Sequence, residues 1–564
     1  MNPKIKTDGV RTVYRRGKGL AFQIAAICLT IVSALAGTGL AKWLRTTPLA
    51  TKEVTGNTKF PNRLFQEWKK PDLVLLVSGQ MHGYLLPCGC SRPQVGGVER
   101  RYNLVQMFKE SGWPYAAVDL GDLAQHHGPA GLPNQQGLIK YVYSMKALKE
   151  MDYSAIGFGE TEVNQGLFNV LAEYSLNDPK PRVIMGNLLD QETNFPEMTK
   201  PWVDVEPINS GIRLGITAIT GPSTSNKIKE LSRGDNKIRF ERTPDAIDRV
   251  LREMNDKKVQ LPILLYQGPP TRNAGKKPYT EAMACAEFYP QFPIIICSSD
   301  EEEPPSRPIE VTNKTGGKSL IISLGKKGKF VGVIGLWKSN QKDQPFDIKY
   351  ERVELTEDFL TPAEKEAGHP LLALMESYTK DLKDKNYLEK YGQVRHSLQV
   401  MPKIAGLQRD VEVKYAGSHV CKRCHESAYE VWKKSGHSHA YQTLVDAKRP
   451  ENRQYDPECI VCHTVGFGFQ SGFVNESKTP LLKDVGCESC HGPSFVHVQN
   501  PNDKEWHKRI NPWKHLPSDK REDAMDQFCQ KCHDIDNDVT WIHGGFKKKW
   551  PKVAHPTPAD EKGE

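Results

Sequence analysis

The first strong feature in the distribution of apolar positions is an uncharged run from Gly19 to Ala41. It is long enough to cross a bilayer as a helix. Lys4, Lys6, Arg11, Arg15, Arg16 and Lys18 precede it, and a basic flank of this kind stays on the cytoplasmic side. The pattern predicts a cytoplasmic tail over residues 1–19 and a single transmembrane anchor over 20–42. The alternative is a cleaved signal peptide with its small-residue site at Ala34-Leu35-Ala36. Either reading exports the bulk of the chain, and the anchor reading places it on the periplasmic side of the inner membrane.

Residues 43–70 are polar and read as a linker. From Asp72 onward, short β-branched runs alternate with amphipathic segments. The pattern predicts strands over Leu73–Ser78, Tyr115–Asp119, Ser154–Phe158, Arg182–Met185, Arg213–Thr220, Leu261–Tyr266 and Ile294–Cys297. Helices are predicted over Gly137–Met151 and Pro244–Lys257. Two later runs, Leu320–Leu324 and Phe330–Gly335, flank a Gly/Lys turn and predict a closing hairpin. This rhythm argues for an α/β domain over residues 71–355. Residues 356–412 form a helical linker, in which Leu371, Met375, Tyr378 and Leu382 share one helix face and predict packing between two domains. Over 413–545 the apolar residues are too few to fill a core by themselves, and 546–564 is a polar tail.

Composition changes the picture at this point. The net charge of +9 is not gathered into a stripe, so no nucleic-acid partner is inferred. Of the 13 cysteines, eight lie in four C-x-x-C-H pentads: Cys421, Cys424 and His425; Cys459, Cys462 and His463; Cys487, Cys490 and His491; and Cys529, Cys532 and His533. This is the attachment pattern of c-type haem, in which two thiols bond the porphyrin and the adjacent His ligates its iron. Zinc knuckles and disulfides do not require a His after every second Cys. The residues therefore predict four covalently bound haem c groups, with the porphyrins supplying the missing core. Thirteen of the 17 histidines fall from His396 onward, so second iron ligands are plentiful. The remaining cysteines are Cys28, Cys88, Cys90, Cys285 and Cys297.

The segments Cys421–Ala440, Cys459–Gly468 and Val485–Pro493 resemble the tetrahaem cytochrome c-554 family. The fourth pentad matches in spacing only, and the family's long C-terminal extension has no counterpart here. The resemblance implies closely packed, mostly bis-His haems that pass electrons along an array. The second-ligand candidates are His437, at the family's His-x-x-Ala position, then His497, His543 and His419. His439, His507, His515 and His555 are expected at the surface. The family also includes a haem with an open iron position.

In the first domain, Gln80-Met81-His82-Gly83, Gly96-Gly97-Val98-Glu99-Arg100, Gly121-Asp122, Gly159-Glu160-Thr161-Glu162 and Gly186-Asn187 fall in the order of the motif loops of calcineurin-like metallophosphatases. The resemblance is to their 5′-nucleotidase branch and implies a β-sandwich α/β fold. That family's chemistry needs two bridged divalent metals and a leaving-group His. Here His82 and Asp122 persist. Gln80, Glu160, Thr161, Gln267 and Cys297–Asp300 stand where further ligands or the catalytic His belong. The fold without the hydrolase activity is the expectation.

Pro87-Cys88-Gly89-Cys90 beside this loop has three readings: a packed or disulfide-linked pair, a thiolate metal site with His82, or a redox thiol exchanging electrons with the haems. His82, Cys88, Cys90 and Asp122 are thus the candidate second metal site, which His126 and His127 could join. The functional alternatives are an electron carrier, a haem oxidoreductase acting on a small nitrogen or sulfur species at an open iron, and an active phosphohydrolase. Redox proteins or a quinone-linked membrane complex are the expected partners.

Overall fold

The computed structural model describes residues 60–556, apart from 62, 88–91, 176–179, 190, 233–237, 342–343 and 401–412. All of them belong to one unit, Thr58–Glu564. The anchor run and Cys28, Cys88 and Cys90 lie outside the described residues. Among the described residues no helix is long and apolar enough to cross a membrane.

Among the described residues twelve strands form two six-stranded mixed sheets. The strands are β1 (Leu73–Ser78), β2 (Tyr115–Asp119), β3 (Tyr153–Ile156), β4 (Arg182–Val183), β5 (Trp202–Val205), β6 (Leu214–Thr220), β7 (Leu261–Gln267), β8 (Ile294–Cys297), β9 (Ile309–Thr312), β10 (Lys318–Ser323), β11 (Phe330–Gln341) and β12 (Gln344–Glu354). One sheet runs β12-β11-β1-β2-β3-β4 and the other β5-β6-β7-β8-β10-β9. The central neighbours β1/β2/β3 and β6/β7/β8/β10 are parallel.

Strict alternation explains how the second sheet is covered on both faces. Ile263, Leu265, Ile294 and Ile296 join the core that also holds β1, whereas Leu264, Tyr266, Ile295 and Cys297 face a second core built with Ala246, Ile247, Ala282 and Ala286 of two helices. Burial pushes the Cys285 and Cys297 thiols up to about 12, so they are inert packing groups.

The expected hairpin between the last two predicted strands does not form. β10 pairs with β8 and β9, whereas β11 pairs with β1 and β12. The link between them crosses from one sheet to the other, and Gly325 and Gly328 take φ of 70° and 62° in that link. β12 lacked an apolar run to announce it. It is an edge strand that buries only Phe346 and Val353.

Helix Pro370–Asp384 buries Leu371, Met375, Tyr378, Thr379 and Leu382. Tyr378 packs edge-on against Tyr143 of helix Gly137–Glu150, with ring centroids 5.4 Å apart. The buried Gln136 side chain donates to the Tyr378 hydroxyl (3.0 Å) and to Asp456 (3.1 Å), and accepts from Tyr391 (3.1 Å). One amide therefore joins the α/β domain, the bridging segment and the C-terminal region.

That region is helical, and its helices are short. Glu426–Lys434, Phe495–Gln499 and Ser518–Cys529 bury no side chain fully. Its own apolar clusters are small, one around Ile460, Val465 and Phe473 and another of Val413, Trp506 and Ile510.

Candidate functional site

The second and third C-x-x-C-H pentads are helical, within Pro457–His463 and Cys487–His491, and the first and fourth begin at the last residue of a helix, Cys421 and Cys529. Asp456 caps helix Pro457–His463 by accepting from Glu458 N (3.1 Å). Glu488, buried inside the third pentad, accepts from the backbone N–H groups of Ala416 (2.9 Å), Gly417 (2.7 Å) and Ser494 (2.7 Å). In the first and fourth pentads the His N–H bonds back to the first Cys carbonyl, at 3.0 Å for His425 and 2.9 Å for His533.

Three pentad histidines have their Nδ1 spoken for. His463 donates to the Ala440 carbonyl (2.6 Å), His491 to the Ile510 carbonyl (2.8 Å) and His533 to the Asp538 carboxylate (2.9 Å). A hydrogen bond at Nδ1 fixes the tautomer and leaves Nε2 as the ligating atom. Burial alone would raise the Asp538 carboxyl, but hydrogen bonds from Lys549, Thr540 and His533 outweigh it and hold it down to about 2. Trp541 stacks on the His533 ring with centroids 4.5 Å apart.

A second imidazole faces three of the four. Ring centroids lie 6.0 Å apart for His425 and His497, 6.2 Å for His437 and His533, and 6.1 Å for His491 and His555. Two imidazoles bound to one metal from opposite sides through bonds of about 2.0 Å have centroids roughly 6.3 Å apart. Among the described residues no imidazole stands at this spacing from His463. Cysteines of different pentads also lie beside one another, Cys421 near Cys487 and Cys462 near Cys532. Among the described residues the ten cysteines form no disulfide.

The second candidate site lies where β1, β2, β3, β7 and β8 end. Gln80, His82 and Asp122 hold left-handed backbone, with φ of 50°, 49° and 57°. Glu162 fixes these loops by accepting from four backbone N–H groups: Asp122 (3.1 Å), Leu123 (2.7 Å), Ala124 (3.0 Å) and Gly159 (2.8 Å). The Gln80 amide accepts from Ser299 N (2.7 Å) and donates to Ser299 O (3.0 Å). Gln267 donates to the Leu120 carbonyl (2.5 Å). Asp122 accepts from Thr161 N (2.9 Å) and Oγ1 (3.2 Å), and burial followed by repulsion from Glu162 lifts its carboxyl to about 7. Three positions where the metallophosphatase pattern calls for ligands are thus closed by bonds to other parts of the same cluster. This donor set does not fit a dinuclear metal centre, and among the described residues no group of three or more His, Cys, Asp or Glu side chains gathers for one.

Residues 420–492 match the family model for cytochrome c554 and c-prime. Cytochrome c-554 of Nitrosomonas europaea is 28% identical over 144 residues, which is 23% of this chain and 61% of that protein. The C-terminal region is similar to the cytochrome c-554 family. For the N-terminal region, the solved structures similar to the chain include a 5′-nucleotidase precursor from Thermus thermophilus, with 17% identity, a TM-score of 0.44 and 55% and 59% of the two chains covered. Another is NAD nucleotidase from Haemophilus influenzae, with 16% identity, a TM-score of 0.45 and 64% and 68% covered.

The residues of the cytochrome c-554-like region fit the covalent haem that its family implies. A cavity of about 2420 Å³ is lined by His437 and by Cys459, Cys462, His463, Cys490, His491, Cys529, Cys532 and His533. His497 Nδ1 is buried without a hydrogen-bond partner among the described residues.

Two of the four second-ligand candidates named from the sequence, His437 and His497, face pentad histidines. The other two do not: His419 and His543 are exposed. His555, expected at the surface, is exposed there, and its ring also lies 6.1 Å from that of His491. It lies 22 residues beyond the last pentad, and the chain returns to His491 after helix Gly545–Lys549. Sequence spacing carries no sign of that return.

Proposed function

We propose that the chain is an exported tetrahaem cytochrome whose four pentads relay electrons, tethered to the membrane by residues 20–42. The observation that carries this is the set of three imidazole pairs at 6.0–6.2 Å. Haem c, attached at Cys421/Cys424, Cys459/Cys462, Cys487/Cys490 and Cys529/Cys532, supplies the one-electron couple. His425, His463, His491 and His533 would hold the irons as proximal ligands, and His497, His555 and His437 are the imidazoles that would supply a second ligand to the first, third and fourth. The thiol contacts support a relay in which the first pentad adjoins the third and the second adjoins the fourth. Bis-His ligation without Met favours low potentials. Redox proteins or a quinone-linked membrane complex would exchange electrons with the array.

Asp538 tunes one member of it. A carboxylate accepting from His533 Nδ1 makes that imidazole a stronger donor to iron. Asp538→Asn is expected to raise one of the four midpoint potentials by roughly tens of millivolts, read by a spectroelectrochemical titration. An unchanged titration would remove Asp538 from this role.

A second reading rests on His463, which has no facing imidazole among the described residues. An iron held from one side only can bind small ligands, so this position supports reduction or oxidation of a small nitrogen or sulfur species. Carbon monoxide is expected to perturb one haem in four, with a matching high-spin ferric signal in electron paramagnetic resonance. Four low-spin haems insensitive to carbon monoxide would leave a pure carrier. The α/β domain has no hydrolytic part in this proposal, because its donors do not fit the two metals that phosphate hydrolysis needs.

A further inference from the structure

We infer that Arg453 raises the reduction potential of the second haem by placing a guanidinium charge against the sulfur that joins this haem to the chain. The inference rests on the tetrahaem reading above. Arg453 Nη2 and Nε lie 3.1 Å and 3.3 Å from Cys459 Sγ. In the haem-loaded chain that sulfur is the thioether bonded to the porphyrin, so the cation stands at the edge of the macrocycle. Arg453 and His463 line the same cavity. Among the described residues no sulfur of the first, third or fourth pentad accepts from a Lys or Arg side chain.

The local fold fixes this placement. Arg453 opens the 3₁₀ turn Arg453–Tyr455, and Asp456 N donates to its carbonyl at 3.0 Å. The Asp456 carbonyl in turn accepts from Cys459 N and Ile460 N, each at 3.0 Å. One residue therefore ties the turn that carries the guanidinium to the helix that carries the thiol. Gln136 of the α/β domain donates to the Asp456 carboxylate from outside (3.1 Å), so the closed molecule holds the turn from both sides.

The sign of the effect follows from electrostatics. Reduction adds an electron to the haem, and a fixed positive charge beside it favours the reduced form. Cys459 is buried and Arg453 is half-buried, so water screens that charge weakly. Carboxylates also stand near the second pentad. Asp456 accepts from Gln136 and Glu458 N, Glu458 from Lys140 and Gln125, and Asp484 from Tyr441 N. They stay in place when Arg453 is replaced, so a variant isolates the guanidinium. The fourth pentad carries the opposite device, because Asp538 accepts from His533 Nδ1 and favours the oxidised iron. Cys462 lies near Cys532, so electrons that reach the fourth haem settle on the second.

The test is a spectroelectrochemical titration of the haem-loaded exported protein, with the haems counted by their alkaline pyridine spectrum. Arg453→Gln, and Arg453→Met as a second charge-free variant, are expected to lower one of the four waves by about tenfold in its reduction equilibrium, about 59 mV for one electron. The other three waves should stay in place. Asp538→Asn should move a different wave, one that lies lower in the wild type. Arg453→Lys keeps the charge without the fork and should stay within about threefold of the wild type. The proposal is overturned by four unmoved waves in a charge-free variant that carries four haems, by a wave that moves upward, or by Arg453→Gln and Asp538→Asn acting on one wave. A Lys variant that falls as far as the Gln variant overturns it too. Fewer than four haems in the wild-type chain would overturn the tetrahaem reading and this proposal together.

Discussion

His437→Ala is expected to convert one low-spin haem into a five-coordinate one. The His437 ring faces His533 at 6.2 Å, and burial lowers its basicity, so it is held neutral as a ligand must be. With the ring gone, His533 is left as a one-sided ligand. The high-spin signal in electron paramagnetic resonance should rise by one haem per chain, and the carbon monoxide count should rise from one to two. Added imidazole should reverse both changes, because the vacated space has the shape of the ring. His439→Ala, two residues away on an exposed side chain, should change neither. An unaltered spin count in the His437 variant would break the assignment of this pair.

Glu162→Ala is expected to destabilise the α/β domain by about 3–5 kcal/mol. The side chain is 1% exposed and its carboxylate is the acceptor for four backbone N–H groups. Alanine leaves those donors buried with nothing to bond. Glu162→Gln keeps one acceptor oxygen and should lose roughly half as much. Chemical denaturation followed by far-ultraviolet circular dichroism reads the difference, and the haem absorption reports the C-terminal region separately. A loss under about 1 kcal/mol in the alanine variant would mean that the loops are held by something else.

The pentads were legible because haem attachment needs its thiols and proximal His within five consecutive residues. The imidazoles that face pentad histidines were legible only where the resemblance aligned them or where they followed a pentad closely. His437 and His497 meet those conditions, whereas His555 reaches its partner His491 through tertiary folding across 64 positions. The strands with unbroken apolar runs, such as β1 and β7, were readable from their composition. β12 was not, since an edge strand such as Gln344–Glu354 alternates charge with partial burial. The hairpin expectation failed because neighbouring strands usually pair, and only tertiary structure shows that the Gly325–Gly328 turn passes between sheets. In the first domain, the replacement of ligand-type residues could be read from the sequence. That Gln80 clasps Ser299, leaving His82 without a partner, could not.

The contact between the two halves of the molecule bears on how it matures. Glu458, the residue before Cys459, accepts from Lys140 and Gln125 of the α/β domain, each at 2.5 Å, and Lys140 is only 6% exposed there. Lys327 and Tyr84 likewise grip Asp536, three residues past His533. Cys459 itself is 8% exposed. An enzyme that joins porphyrin to protein must reach both thiols of a pentad, so the second one is expected to be loaded before Lys140 and Gln125 close on Glu458. The expected order of biogenesis is cofactor ligation first, closure of the halves afterwards. A chain that closes too early would be sealed with an empty second position.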